Sequence, residues 1–141
     1  MNTLKQILSS FCLLFSLSLS AQKNESALEL PYTNKIEVSH EVLESLFQAN
    51  THIAIEISPE FKLVGDIQDK SSHNNAVVSL LVKLEGSPKG TLSISRYRDA
   101  NGHFQYTGHI LKLHEVEGLV LKEKDQHYYF IETQQKFLVS E

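Results

Sequence analysis

Cysteine is almost missing from this 141-residue sequence: the only one, Cys12, falls within residues 1–21. With that stretch removed, neither a disulfide nor a thiol nucleophile remains, so stability has to come from packing and strand pairing. A membrane-spanning run is also lacking. The apolar segment from Ile7 to Leu19 is shorter than the roughly 20 residues a spanning helix needs. The 13 basic and 17 acidic residues are mixed along the chain. No basic patch forms, which argues against a nucleic-acid backbone as partner and against a membrane-surface role. Catalytic signatures are absent as well: there is no G-x-S-x-G elbow, no glycine-rich phosphate loop and no H-E-x-x-H helix.

What is present begins with an address. Lys5, the apolar run and the small residues Ser18-Leu19-Ser20-Ala21 have the layout of a secretory signal peptide over residues 1–21. Cys12 follows Phe11 inside the apolar run, which does not suit lipidation. The expectation is cleavage after Ser20 or Ala21 and a secreted or periplasmic protein. Losing Lys5 moves the formal net charge from −4 to −5. About 120 residues remain, enough for one domain with a real core and too few for two.

Residues 22–35 are polar, contain Pro31 and show no periodicity, so they read as a flexible leader to a single β-rich domain over residues 36–141. A short helix comes first. Ser39 suits its cap, and Val38 with Leu43 occupy the positions of a hydrophobic staple. Val42, Leu43, Leu46 and Phe47 share one face, with Glu41, Glu44 and Gln48 facing away. Asn50 stands where helices often end on a left-handed residue. At about 10 residues this helix is too short to stand alone and has to pack on something.

From Thr51 onward the period changes to two. Strands are expected over 51–57, 61–68, 76–84, 91–98, 103–112, 118–123, 127–132 and 136–140, with residues 69–75 as a polar loop. Residues 76–84 are apolar on both faces, which makes them the candidate central strand. Short connections favour an antiparallel meander. The fold class is therefore α+β, mainly β: one short helix and a curved antiparallel meander of about seven or eight strands, barrel-like if it closes.

One hairpin has a register legible in advance. Asp99-Ala100-Asn101-Gly102 suits a type I turn followed by a left-handed glycine. That sets Ile94 opposite Gly108 and Leu92 opposite Ile110, with Leu92, Ile94, Phe104, Tyr106 and Ile110 on one face. Two segments share the pattern F-x-x-x-G-x-I, Phe61 to Ile67 and Phe104 to Ile110. Duplication is one explanation; the plainer one is a glycine required by a bulge or a close neighbouring strand.

Seven histidines raise the thought of metal. His103 and His109 lie about 20 Å apart on one strand, so they cannot share an ion. A metal centre would have to gather His109, His114, Glu117 and His127 through the fold, whereas the ordinary reading is solvated surface histidines that titrate near neutrality. Asp66 with Asp69, and Glu115 with Glu117, read as solvated carboxylates rather than acid–base pairs. Arg96 and Arg98 share the face of Phe104 and Tyr106; they suit a carboxylate or sulfate clamp, or else stems lying over aromatic rings. Tyr128 and Tyr129 put aromatic bulk on both faces of a late strand, one of them a candidate partner surface. The expectation is a small exported binding domain without cofactor or catalysis, using Arg96, Arg98, Tyr128 and Tyr129 toward another exported protein. The rivals are a barrel-like carrier of a hydrophobic ligand and a histidine-based metal protein.

Overall fold

The computed structural model describes residues 34–74 and 76–134. Strand β1 (Lys35–Val38) leads into helix α1 (His40–Gln48) and then strand β2 (His52–Ser58). The meander continues through β3 (Phe61–His73), β4 (Val77–Leu84), β5 (Gly90–Arg98), β6 (Phe104–Lys112), β7 (Glu117–Lys124) and β8 (His127–Gln134). All eight strands form one antiparallel sheet in the order β1-β8-β7-β6-β5-β4-β3-β2. β1 and β2 are neighbours in sequence yet lie at opposite edges, joined by α1. Bridging them with a helix of about 14 Å requires the sheet to curl into a nearly closed barrel. Phe61 of β3 and Phe130 of β8, each one strand in from its edge, meet with ring centroids 5.7 Å apart.

The alternation that the sequence displays fills this barrel. Leu80, Val82 and Leu84 of β4, Leu92 and Ile94 of β5, Ile110 of β6, Leu119 and Leu121 of β7 and Phe130 of β8 are at most 3 % exposed. Leu43, Leu46 and Phe47 of α1 join the same core. Ser39 caps the helix through its Oγ, which accepts from the Val42 N–H at 3.3 Å. The helix ends at an extended Ala49 rather than on a left-handed Asn50.

The β5–β6 hairpin has the expected register, Ile94 opposite Gly108 and Leu92 opposite Ile110, with Gly102 at φ +84 in its turn. The shared F-x-x-x-G-x-I pattern has a steric origin. A Cβ on Gly65 would strike the Lys83 carbonyl, and one on Gly108 would come within 2.5 Å of the Ser93 carbonyl. At both places the neighbouring strand leaves no room for a side chain.

Three features of the strands also depart from the sequence reading. Lys35 belongs to β1, which pairs Ile36 with Phe130 and Val38 with Tyr128, rather than to a leader. Residues 69–73 are strand rather than loop, held against Val77–Leu81 of β4. This part of β3 runs past the start of β2, so its other edge is open, and polar residues suit an open edge. Third, a bulge at Gln68 shifts the register and puts Lys70 opposite the buried Leu80, on the inner face. The expected strand over residues 136–140 and the signal segment over 1–21 lie outside the described residues.

The bulge has a use. Lys70 Nζ donates to the carbonyls of Phe47 (2.8 Å) and Ala49 (3.0 Å), at the C-terminal end of α1. The last turn of α1 contains no basic residue of its own. A cation from β3 thus satisfies carbonyls at the negative end of the helix. Replacing Lys70 with methionine should lower the unfolding free energy by about 1–2 kcal/mol, read as a smaller urea midpoint at unchanged slope.

Candidate functional site

The strands alternate in direction, so the barrel has two distinct ends. At one end, which α1 caps, lie the β5–β6 turn, the β7–β8 turn and the starts of β2, β4 and β8. Here the sheet is incomplete. β5 and β6 pair continuously from Gly90–Lys112 to Arg98–Phe104, and β7 pairs with β8 along its whole length. β6 and β7 pair only at Gly108–Leu121, His109–Val120 and Ile110–Leu119. Toward the capped end both strands continue, but apart.

A cleft of about 660 Å³ opens there. One lip is the β5–β6 hairpin, with Asp99, Gly102, His103, Phe104 and Gln105; the other carries Glu123 and Gln126. His40, the first residue of α1, closes one side and Tyr128 lies along it. Gln126 and Asp125 form the two-residue β7–β8 turn, both at positive φ (66 and 52). In antiparallel pairing, N–H and C=O of one residue point to the same neighbour, alternating along the strand. The Tyr106 N–H faces the gap and donates instead to the Tyr128 hydroxyl at 3.3 Å. By the same alternation, the main-chain groups of Phe104 and Glu123 face the gap too. The Tyr128 hydroxyl in turn donates to Gln105 Oε1 at 2.8 Å.

Beneath the cleft, a polar cluster fixes helix to sheet. Arg96 Nη1 is ion-paired with Glu44 Oε1, and the Tyr106 hydroxyl donates to Glu44 Oε2 at 2.7 Å. His40 Nε2 lies 3.4 Å from the same hydroxyl, its ring edge-on to Tyr106. The Arg96 guanidinium stacks over Phe104 (4.3 Å) and Phe47 (5.1 Å). Glu44, read from helical spacing as facing away, instead turns onto the sheet. Burial alone would raise its pKa, but the Tyr106 hydroxyl and the Arg96 charge outweigh that and hold it below the ordinary carboxylate value. Burial, reinforced by the Glu44 carboxylate, pushes the Tyr106 phenol well above its usual range.

The opposite end has its own anchor. Lys112 Nζ reaches Glu132 at 3.0 Å and Glu115 at 3.2 Å, and Asn34 donates to Glu132 at 3.3 Å. The Lys112 ammonium, followed by the Asn34 amide, lowers the Glu132 pKa. Glu44 and Glu132 therefore both have folded-state values below their unfolded ones. Their contribution is present above about pH 4.5 and disappears as pH falls through the lowered values. Urea midpoints should hold from pH 7 to about 5 and then drop. An Arg96→Met variant should lose less on acidification, because its Glu44 has no guanidinium partner to lower its pKa.

The residues singled out from sequence divide clearly. Arg96, Arg98 and Tyr128 come together at the capped end. Arg96 is occupied by Glu44, and Arg98 lies over Phe104 (4.1 Å) while donating to the Gly102 carbonyl. Tyr129 points outward instead, with Lys35 over its ring. The four metal candidates do not converge. His127 begins β8 at the capped end, where its Nδ1 pairs with Glu37 at 2.8 Å. His114 and Glu117 lie at the opposite end, about 23 Å away along β7, and His109 sits midway on β6. Among the described residues no three metal-ligating side chains form a group. His40, Glu44, Glu123 and Gln126 escaped the sequence reading. Asp99, Gly102, His103 and Phe104, by contrast, belong to the hairpin whose turn and register the sequence displays. No protein-family model, no curated protein and no solved structure matches this chain.

Proposed function

We propose that this chain is an exported, non-enzymatic binding domain that engages another exported protein at its helix-capped end. The observation that carries this reading is the cleft between β6 and β7, where two strands offer main-chain groups to a partner. Its volume falls within the usual range of ligand sites, about 300–1,000 Å³. Lys35 of β1 and Gln134 of β8 both lie at the end of the barrel opposite the cleft. Two of the nearby carboxylates are already engaged: Glu44 by Arg96 and Tyr106, and Asp99 by the N–H groups of Asn101 and His103. That favours contact over acid–base chemistry. The start of the sequence, read as a signal peptide, supplies the exported setting. No helix of the described residues is long and apolar enough to cross a membrane.

A photo-crosslinking residue at Gln126, on the cleft lip, tests this in the exported fraction, with Lys89 at the opposite end as the control site. The expected result is one dominant protein adduct from position 126 and none of that mass from position 89. Equal labelling at the two positions, or no adduct at 126, would reject the reading.

A further inference from the structure

We propose that the occupant of the cleft is an extended polypeptide segment, inserted as an additional strand between the parted halves of β6 and β7. This rests on the binding reading above and specifies its chemistry. β6 and β7 do not end where their mutual pairing ends. Phe104–Thr107 stay paired with β5, and Lys122–Lys124 stay paired with β8. Each lip is therefore a strand held rigid by its outer neighbour, with its inner edge facing the gap. An edge of this kind offers alternating N–H and C=O groups, which another strand matches better than any globular surface does.

The gap-facing N–H of Tyr106 strengthens the case. Tyr106 donates to a side-chain hydroxyl, that of Tyr128, in place of a strand carbonyl. Tyr128 belongs to β8, on the far side of β7, and is only 4 % exposed. Its hydroxyl occupies the position that the carbonyl of an inserted strand would take. In the bound state that carbonyl replaces it, and the hydroxyl keeps Gln105 Oε1 as its acceptor. The lining carries Asp99 and Glu123 together with His40 and His103, so a neutral segment fits better than a strongly charged one.

A strand paired along both edges has a signature that side-chain recognition lacks: consecutive N–H groups of the peptide are all engaged, alternately with β6 and with β7. Linear dodecamers selected by phage display against the full folded domain would be synthesised and scanned with single N-methyl substitutions. Substitutions at consecutive positions of the inserted stretch should each weaken binding about tenfold or more, because each deletes a donor and blocks one of the two ladders, while substitutions outside it change little. The amides of Phe104 and Glu123 should become protected in the complex. Two results would overturn the inference: N-methyl sensitivity confined to every second position, as pairing with one edge alone gives, or selected peptides that leave both amides unprotected. With a Gln126 adduct still in hand, either result removes strand insertion and leaves the protein-binding reading intact. Absence of the adduct removes that reading itself.

Discussion

Replacing Arg96 with methionine is expected to lower the unfolding free energy by about 2–4 kcal/mol, more than any exposed ion pair contributes. The Arg96 and Glu44 side chains are 19 % and 29 % exposed, so they are largely withdrawn from water. A withdrawn pair gives little net stability when intact, because desolvation offsets the attraction. Removing one partner leaves the other charge half-buried, and that residue supplies most of the loss. Two further contributions vanish with the guanidinium, its stacking on Phe104 and on Phe47. The tie between α1 and β5 goes too, so the helix should loosen first. Urea denaturation followed by far-ultraviolet circular dichroism measures the total. A second substitution, Glu44→Leu in the Arg96→Met background, should recover part of the loss, since no orphaned carboxylate remains. A single variant as stable as the parent would contradict the arrangement.

Phe130→Ala should cost about 3–5 kcal/mol and bring the domain near its folding limit. Phe130 is 0 % exposed and its ring meets Phe61 across the barrel interior. The pair tests the curl of the sheet as well as its packing. In the strand order β8 and β3 are separated by four strands, so a flat sheet would keep these rings apart. A double-mutant cycle with Phe61→Leu and Phe130→Leu should give a coupling of about 0.5–1.5 kcal/mol. Strict additivity would mean that the rings do not touch.

Local chemistry was legible in the sequence; long-range pairing was not. Ser39 announces α1 because a hydroxyl cap and an apolar stripe are both nearest-neighbour signals. The Asp99–Gly102 turn fixes β5 against β6 because its length and its left-handed glycine admit one register in agreement with the alternation. β1 has only Ile36 and Val38 to mark it, and its partner β8 lies some ninety residues away, so no local pattern could reveal it. Residues 69–73 are polar, and they extend because Val77–Leu81 pairs with them and because an open edge requires polar side chains. The bulge at Gln68, which aims Lys70 at the end of α1, leaves no compositional mark.

The site shows the same division. Arg96 and Arg98 were recognisable as a pair beside aromatics, since turn and alternation place them there. Their actual carboxylate, Glu44, is on the helix, and spacing along α1 points it toward solvent. Only the packing of α1 on β5 and β6 turns it inward. The parting of β6 and β7 is harder still to read. Both segments alternate well, and where two good strands stop pairing depends on the twist and closure of the whole barrel.

Amide hydrogen exchange on the free domain tests the parted strands most directly. Gly108, Ile110, Leu119 and Leu121, inside the paired stretch, should exchange slowly. Phe104 and Glu123, facing the gap, should exchange orders of magnitude faster although both lie within strands. Protection at Phe104 and Glu123 equal to that at Gly108 and Leu121 would show β6 and β7 zipped to the capped end. The cleft, and the binding function built on it, would then be wrong.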